Sequence, residues 1–133
     1  MGAQITEEST NLVIELGKSL ISAMQDQVPR WQRVFVRFES SESHHGAKGS
    51  YVTDVGVFLL DPFKFNELFK RINMLGVELR KQLADGDKRF CLFLLSVNSD
   101  FSYNIDFEWQ DPDRWKISKM GGATGLPIGW ADA

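Results

Sequence analysis

The sequence predicts an α+β domain, an antiparallel sheet of about four strands with two helices packed on one face, in the order α-β-β-α-β-β. Three observations predict it. Two long stretches carry apolar residues at helical spacing. Four others carry the two-residue alternation or the short apolar runs of strands. Turn-forming residues join the strands in pairs, so each pair closes as a hairpin. At 133 residues the chain is long enough for one core, and residues 1–120 are expected to form a single domain followed by a Gly-rich tail, residues 121–133.

The first helix is expected from Glu7 to Gln27. Leu12, Leu16, Leu20 and Met24 recur every four residues, with Val13, Ile21 and Ala23 on nearly the same side. Thr6, with Glu8 and Ser9 after it, offers capping chemistry, and Pro29 ends the helix. Trp31 to Glu39 changes period. Val34, Val36 and Phe38 share one face, and Phe35, Arg37 and Glu39 share the other. Ser40 to Ser50 is polar and rich in Ser and Gly, which predicts a flexible loop. Tyr51 to Leu60 follows as a second strand, in which Gly56 marks a bulge or a close backbone approach.

Asp61 as N-cap and Pro62 at the first helical position open the second helix. Phe65, Leu68, Phe69, Ile72, Leu75, Leu79 and Leu83 form its apolar stripe, and Asp85-Gly86-Asp87 ends it. Phe90 to Val97 is almost wholly apolar, as an interior strand is. Asn98-Ser99-Asp100 is a turn composition. The last strand alternates strictly. Tyr103, Ile105, Phe107 and Trp109 face a core, and Asn104, Asp106, Glu108 and Gln110 face water. With both helices on one side of the sheet, the other side is expected to meet solvent. The tail beyond Gly121 either stays free or docks through Leu126, Ile128 and Trp130.

Composition narrows the function. An apolar content of 43% and a charged content of 25% are those of a soluble globular protein. No apolar run approaches the ~20 residues of a membrane span. The N-terminal residues lack a leader pattern, so a cytoplasmic location is expected. Cys91 is the single cysteine, which excludes an internal disulfide and fits a reducing compartment. A net charge of −3 argues against a surface for bare nucleic acid.

The catalytic signatures are weak. Asp106 and Glu108 lie two apart on one strand, which sets their side chains on one face about 7 Å apart. No histidine or lysine stands beside them at motif spacing. His44 and His45 lack further ligands at metal-site spacing. There is no phosphate-binding glycine loop and no nucleophile elbow. Lys64, Lys70, Arg71, Arg80, Lys81, Lys88 and Arg89 read as a solvated helix face and turn. No catalytic residue, metal or cofactor is expected.

The charge pattern is more informative. Five carboxylates (Asp100, Asp106, Glu108, Asp111 and Asp113) crowd the segment to Trp115 with one arginine, Arg114. Like charges repel, so the cluster invites a cationic partner. Glu39 and Asp54 extend it from neighbouring strands. Trp109 and Trp115 flank Asp111-Pro112-Asp113, either plugging the edge of the core or anchoring a partner.

These residues carry a family likeness. Val28-Pro29-Arg30-Trp31-Gln32-Arg33-Val34, a helix end before a tryptophan-led strand, resembles the opening of the YezG-like immunity proteins. Tyr103-Asn104-Ile105-Asp106-Phe107-Glu108-Trp109, followed by Asp111-Pro112 and Trp115, is similar to that family's aromatic–acidic strand. The likeness runs over residues 8–117 and departs in the loop after the first strand and in the tail. It implies an immunity protein (antitoxin) of a bacterial polymorphic toxin or contact-dependent inhibition system. Such a protein neutralises a cognate toxin C-terminal domain, which is basic and often a nuclease. The expected toxin-binding residues are Asp106, Glu108, Asp111, Asp113, Trp109, Trp115, Glu39 and Asp54, with no membrane or direct nucleic-acid partner. The alternatives are a metal-dependent hydrolase using Asp106 and Glu108, and a general protein-interaction adaptor.

Overall fold

Residues 6–130 are described by a computed structural model. Residues 1–5, read above for a leader, and residues 131–133 of the tail lie outside them. Helix α1 spans Glu7–Gln27, as expected. Thr6 and Ser9 close a reciprocal capping box, with the Ser9 amide donating to Thr6 Oγ1 at 3.0 Å and the Thr6 amide to Ser9 Oγ at 2.9 Å. The strands that follow are β1 (Arg33–Ser40), β2 (His45–Thr53) and β3 (Gly56–Leu59). Helix α2 (Asn66–Gln82) leads into a two-stranded ribbon, β4 (Ala84–Asp85) and β5 (Lys88–Arg89). The chain then forms β6 (Leu92–Asn98) and β7 (Tyr103–Glu108).

The main sheet is antiparallel and has five strands in the order β3-β2-β1-β6-β7, with the β4-β5 ribbon beside it. Three local expectations are thereby corrected. The loop after β1 is only Ser41–His44, because the glycine-containing run from His45 pairs with β1 from Ser40↔His45 onward. Packing requires Gly49 there: a Cβ at that position would lie 2.7 Å from the Phe35 carbonyl oxygen and collide with Leu60. The expected strand Tyr51–Leu60 is two strands, turned at Asp54-Val55. Gly56 supplies the φ of +146° that starts the return strand, and Thr53 Oγ1 accepts the Val55 amide at 3.2 Å. Helix α2 begins four residues after Pro62. Asp61 still caps, accepting the Phe63 amide at 2.9 Å, but it closes a separate turn before the helix.

The helices pack together on one face of the sheet, as expected. Leu16, Leu20 and Met24 of α1 and Ile72 and Leu79 of α2 meet Val34, Val36 and Phe38 of β1 and Phe93, Leu95 and Val97 of β6. Phe38 and Phe93 stack with ring centroids 5.2 Å apart at the centre. Each such side chain contributes about 1.5–3 kcal/mol by burial. Helix α2 approaches β1 so closely that a Cβ on Gly76 would lie 2.7 Å from the Phe38 ring.

The opposite face departs most from expectation. It does not meet water over its centre. The chain after β7 returns across it, and Phe35, Leu92 and Leu94 form a second core with Trp115 and Ile117, joined by Leu126 and Trp130. The tail therefore docks as far as Trp130. Its path is closed by backbone bonds from the Gly125 amide to the Ser118 carbonyl at 2.9 Å and from Ile128 to Lys116 at 3.0 Å. Trp130 meets Phe35 edge-on, with centroids 4.7 Å apart, and the Arg33 guanidinium lies 4.9 Å over the Trp130 ring. Among the described residues no helix is long and apolar enough to cross a membrane.

Candidate functional site

Strand β7 alternates as its sequence predicts except at Tyr103, expected to face the core but 49% exposed. Ile105, Phe107 and Trp109 pack against the main core, while Asn104, Asp106 and Glu108 project from the other face. Glu108 registers with Leu92, which registers with Glu39. Glu39 and Glu108 thus share a row about 10 Å apart, two strand spacings across one end of the sheet.

The segment after Glu108 folds back over that end, and Glu108 organises it. Glu108 Oε1 accepts from Arg114 Nη1 at 2.7 Å, and Oε2 accepts the Gln110 and Asp111 amides, each at 3.1 Å. The Arg114 bond, followed by the two amides, lowers the Glu108 pKa to about 2. Asp111 Oδ1 accepts the Asp113 amide at 2.9 Å and closes an Asx turn around Pro112. Asp113 lies 3.3 Å from Lys116 Nζ.

Arg37 holds this turn from beneath. It is 5% exposed on the covered face, and its guanidinium donates to the Arg114 carbonyl at 2.8 Å and the Pro112 carbonyl at 2.7 Å. Glu39 lies 3.9 Å from its Nη1. Burial lowers the Arg37 pKa, while Glu39 and Asp113 act to raise it. Arginine keeps its charge through such a shift. Trp115 takes the left-handed conformation, φ +59°, which costs a non-glycine residue roughly 1–2 kcal/mol. Burying its ring against the second core offsets that cost.

The expected toxin-binding residues therefore divide. Asp106, Asp111 and Asp113 are exposed, Glu39 is partly so, and all four border the end of the sheet where β7 finishes. Glu108 is turned inward as the clasp of the turn, with its side chain 14% exposed. Trp115 is buried at 5% and presents no surface for an anchor. Trp109 is half-buried, edge-on to Phe90 with centroids 6.3 Å apart. Both tryptophans thus plug cores. Asp54 lies in the β2–β3 turn, 3.7 Å from Arg30, at the other end of the sheet and towards its opposite edge. It is not part of the cluster.

Arg37 and Arg114 are the residues that sequence reasoning left out. Their trace in the sequence was slight: a lone charge inside the apolar run of β1, and a basic residue six after Glu108. The half-buried Cys91 thiol donates to the Glu108 carbonyl at 3.4 Å, and burial, with Glu108 nearby, raises its pKa. That setting opposes a reactive thiolate. Among the described residues no three His, Cys, Asp or Glu side chains converge as metal ligands, and both Glu108 oxygens are already engaged. The geometry offers an outward carboxylate rim on a hydrogen-bonded turn. No protein-family model matches the chain, and comparison with curated proteins returns no match.

Proposed function

We propose that this chain is an immunity protein that binds and neutralises a cognate toxin domain, a basic domain and by its chemistry a nuclease, within the cytoplasm of the producing cell. The observation that carries the reading is the rim of Asp106, Asp111, Asp113 and Glu39, held outward on a scaffold fixed by Arg37 and Glu108. Fixed carboxylates lose little entropy when a cationic surface arrives. A nuclease grips phosphates with lysines and arginines, and such a rim occupies the same groups, speeds encounter and excludes the substrate. The likeness of residues 8–117 to YezG-like immunity proteins supports the same role.

The test is binding to the C-terminal domain encoded next to this gene. The double variant Asp106→Lys, Asp113→Lys leaves the clasp of Glu108 and Arg114 and the turn closed by Asp111 untouched. It is expected to slow association by on the order of tenfold or more at low salt and to weaken the salt dependence. An association rate equal to the parent's removes the rim from the interface. Turnover of substrate by the purified chain overturns the inhibitor reading itself.

A further inference from the structure

The tip of the β1–β2 hairpin and the C-terminal end of α2 enclose a cavity of about 250 Å³. Arg80 and Lys81 reach it from the last turn of α2, Arg89 from β5, and His44 and His45 from the hairpin. Ser40, Ser41, Ser43 and Val77 complete the wall, with the Ser41 hydroxyl engaged by His44 Nδ1 at 3.2 Å and by the Ser43 and His44 amides. Among the described residues Glu42 is the only carboxylate lining it. In sequence these groups lie in separate runs, and only the ladder that carries β2 up to Ser40 brings them together.

The basic groups are positioned. Arg80 is largely covered, with its side chain 19% exposed, and its Nε donates to the Phe90 carbonyl at 3.1 Å. That bond fixes the guanidinium plane, with Nη2 3.7 Å from Glu42 Oε1. Glu42 is a loose occupant, with its side chain 94% exposed on the hairpin tip. Arg89 Nη1 donates to the Gly86 and Lys88 carbonyls at 3.3 and 3.2 Å, which holds it over the β4–β5 turn. Two cations at a helix C-terminus are expected from the helix dipole alone. The dipole does not account for a third cation from a separate ribbon, nor for a hydroxyl- and imidazole-bearing hairpin facing them.

We propose that this cavity binds the phosphate group of a small phosphorylated molecule. Guanidinium forks match phosphate oxygens in pairs, and the His45 imidazole and the free His44 ring nitrogen offer further N–H donors. The volume suits a phosphate with a few further atoms, below the usual range of sites for larger ligands. A phosphate displaces the Glu42 carboxylate, whose exposed ion pair is weak. This site is separate from the acidic rim, and it stands or falls independently of the toxin-binding role.

Titration of the full chain with inorganic phosphate, followed by amide NMR at constant ionic strength, tests it. Saturable shifts confined to residues 41–45 and 80–90 are expected. Arg80→Gln is expected to weaken binding by roughly tenfold or more, as loss of a charge-assisted pair does. Lys81→Gln, on an exposed side chain, is expected to weaken it while leaving the amide spectrum that of the parent, and so serves if Arg80→Gln misfolds. Glu42→Gln is expected to tighten it by roughly threefold, since the competing carboxylate is gone. Shifts reproduced by sodium chloride, shifts centred on Lys18 and Lys64, which line a separate cleft between α1 and the start of α2, or affinities indifferent to Lys81 and Glu42 overturn the proposal. Binding of an acidic peptide without binding of phosphate also overturns it.

Discussion

The Arg37 guanidinium, buried in the covered face of the sheet, donates to the Pro112 carbonyl at 2.7 Å across 75 residues of chain. A second bond, to the Arg114 carbonyl, makes this one side chain the link between an interior strand and the acidic turn. The turn's backbone thereby meets a partner inside the fold, and its carboxylates are left pointing out.

Replacing Arg37 with alanine is expected to cost roughly 3 kcal/mol or more, because two carbonyls lose a charged donor and a buried side chain leaves a gap. Arg37→Lys keeps the charge but not the fork, and is expected to recover only part of the loss. Urea unfolding measures both. A loss below about 0.5 kcal/mol contradicts the role given to Arg37.

The clasp of Glu108 sets a pH dependence. Its pKa is lowered in the folded chain from the ordinary 4.5 to about 2, so the folded state binds fewer protons between those values than the unfolded state. The contribution of Glu108 is fully present above pH 4.5 and is lost as the pH falls towards 2. Asp100, whose carboxylate accepts from the Ser102 hydroxyl and amide, is shifted in the same direction. Stability measured from pH 6 to pH 2 is expected to fall less steeply in Glu108→Gln than in the parent. Parallel curves for the two proteins contradict the clasp.

Two helical glycines separate packing from propensity. A Cβ at Gly17 meets nothing within 4 Å, and one at Gly76 would strike the Phe38 ring at 2.7 Å. Gly17→Ala is expected to stabilise by about 0.5–1 kcal/mol from helix propensity. Gly76→Ala gains the same propensity but is expected to destabilise by about 1–3 kcal/mol, because Phe38 is locked against Phe93 and cannot yield cheaply. Thermal melts of the pair should move in opposite directions. Equal shifts would show that α2 does not press on β1.

The docked tail is tested at Trp130. Its removal in Trp130→Ala takes away the edge contact with Phe35 and the Arg33 contact over its ring. The expected cost is about 2–3 kcal/mol, below that of a fully buried tryptophan because Trp130 is only partly covered. Hydrogen exchange should quicken at Gly125 and Ile128, whose amides close the returning segment. Unaltered stability and exchange would mean that the second core ends at Ile117.

Residue order alone determined the span of α1, the two faces of β1, the faces of β7 apart from Tyr103, and the shared face of the helices. A period of four or of two is a local property, written wherever apolar side chains must reach one side. Tertiary contact decided the rest. His45 to Ser50 read as a loop because glycines are poor strand formers, yet the ladder with β1 and the closeness of Phe35 and Leu60 make those glycines part of the sheet. Five crowded carboxylates read as a surface awaiting a partner. Which of them stays free depends on Arg37 and Arg114, which reach the turn only after the chain has crossed the sheet. Trp115 and Trp130 are covered for the same reason: burial of a ring depends on distant neighbours, and spacing along the chain does not carry that information.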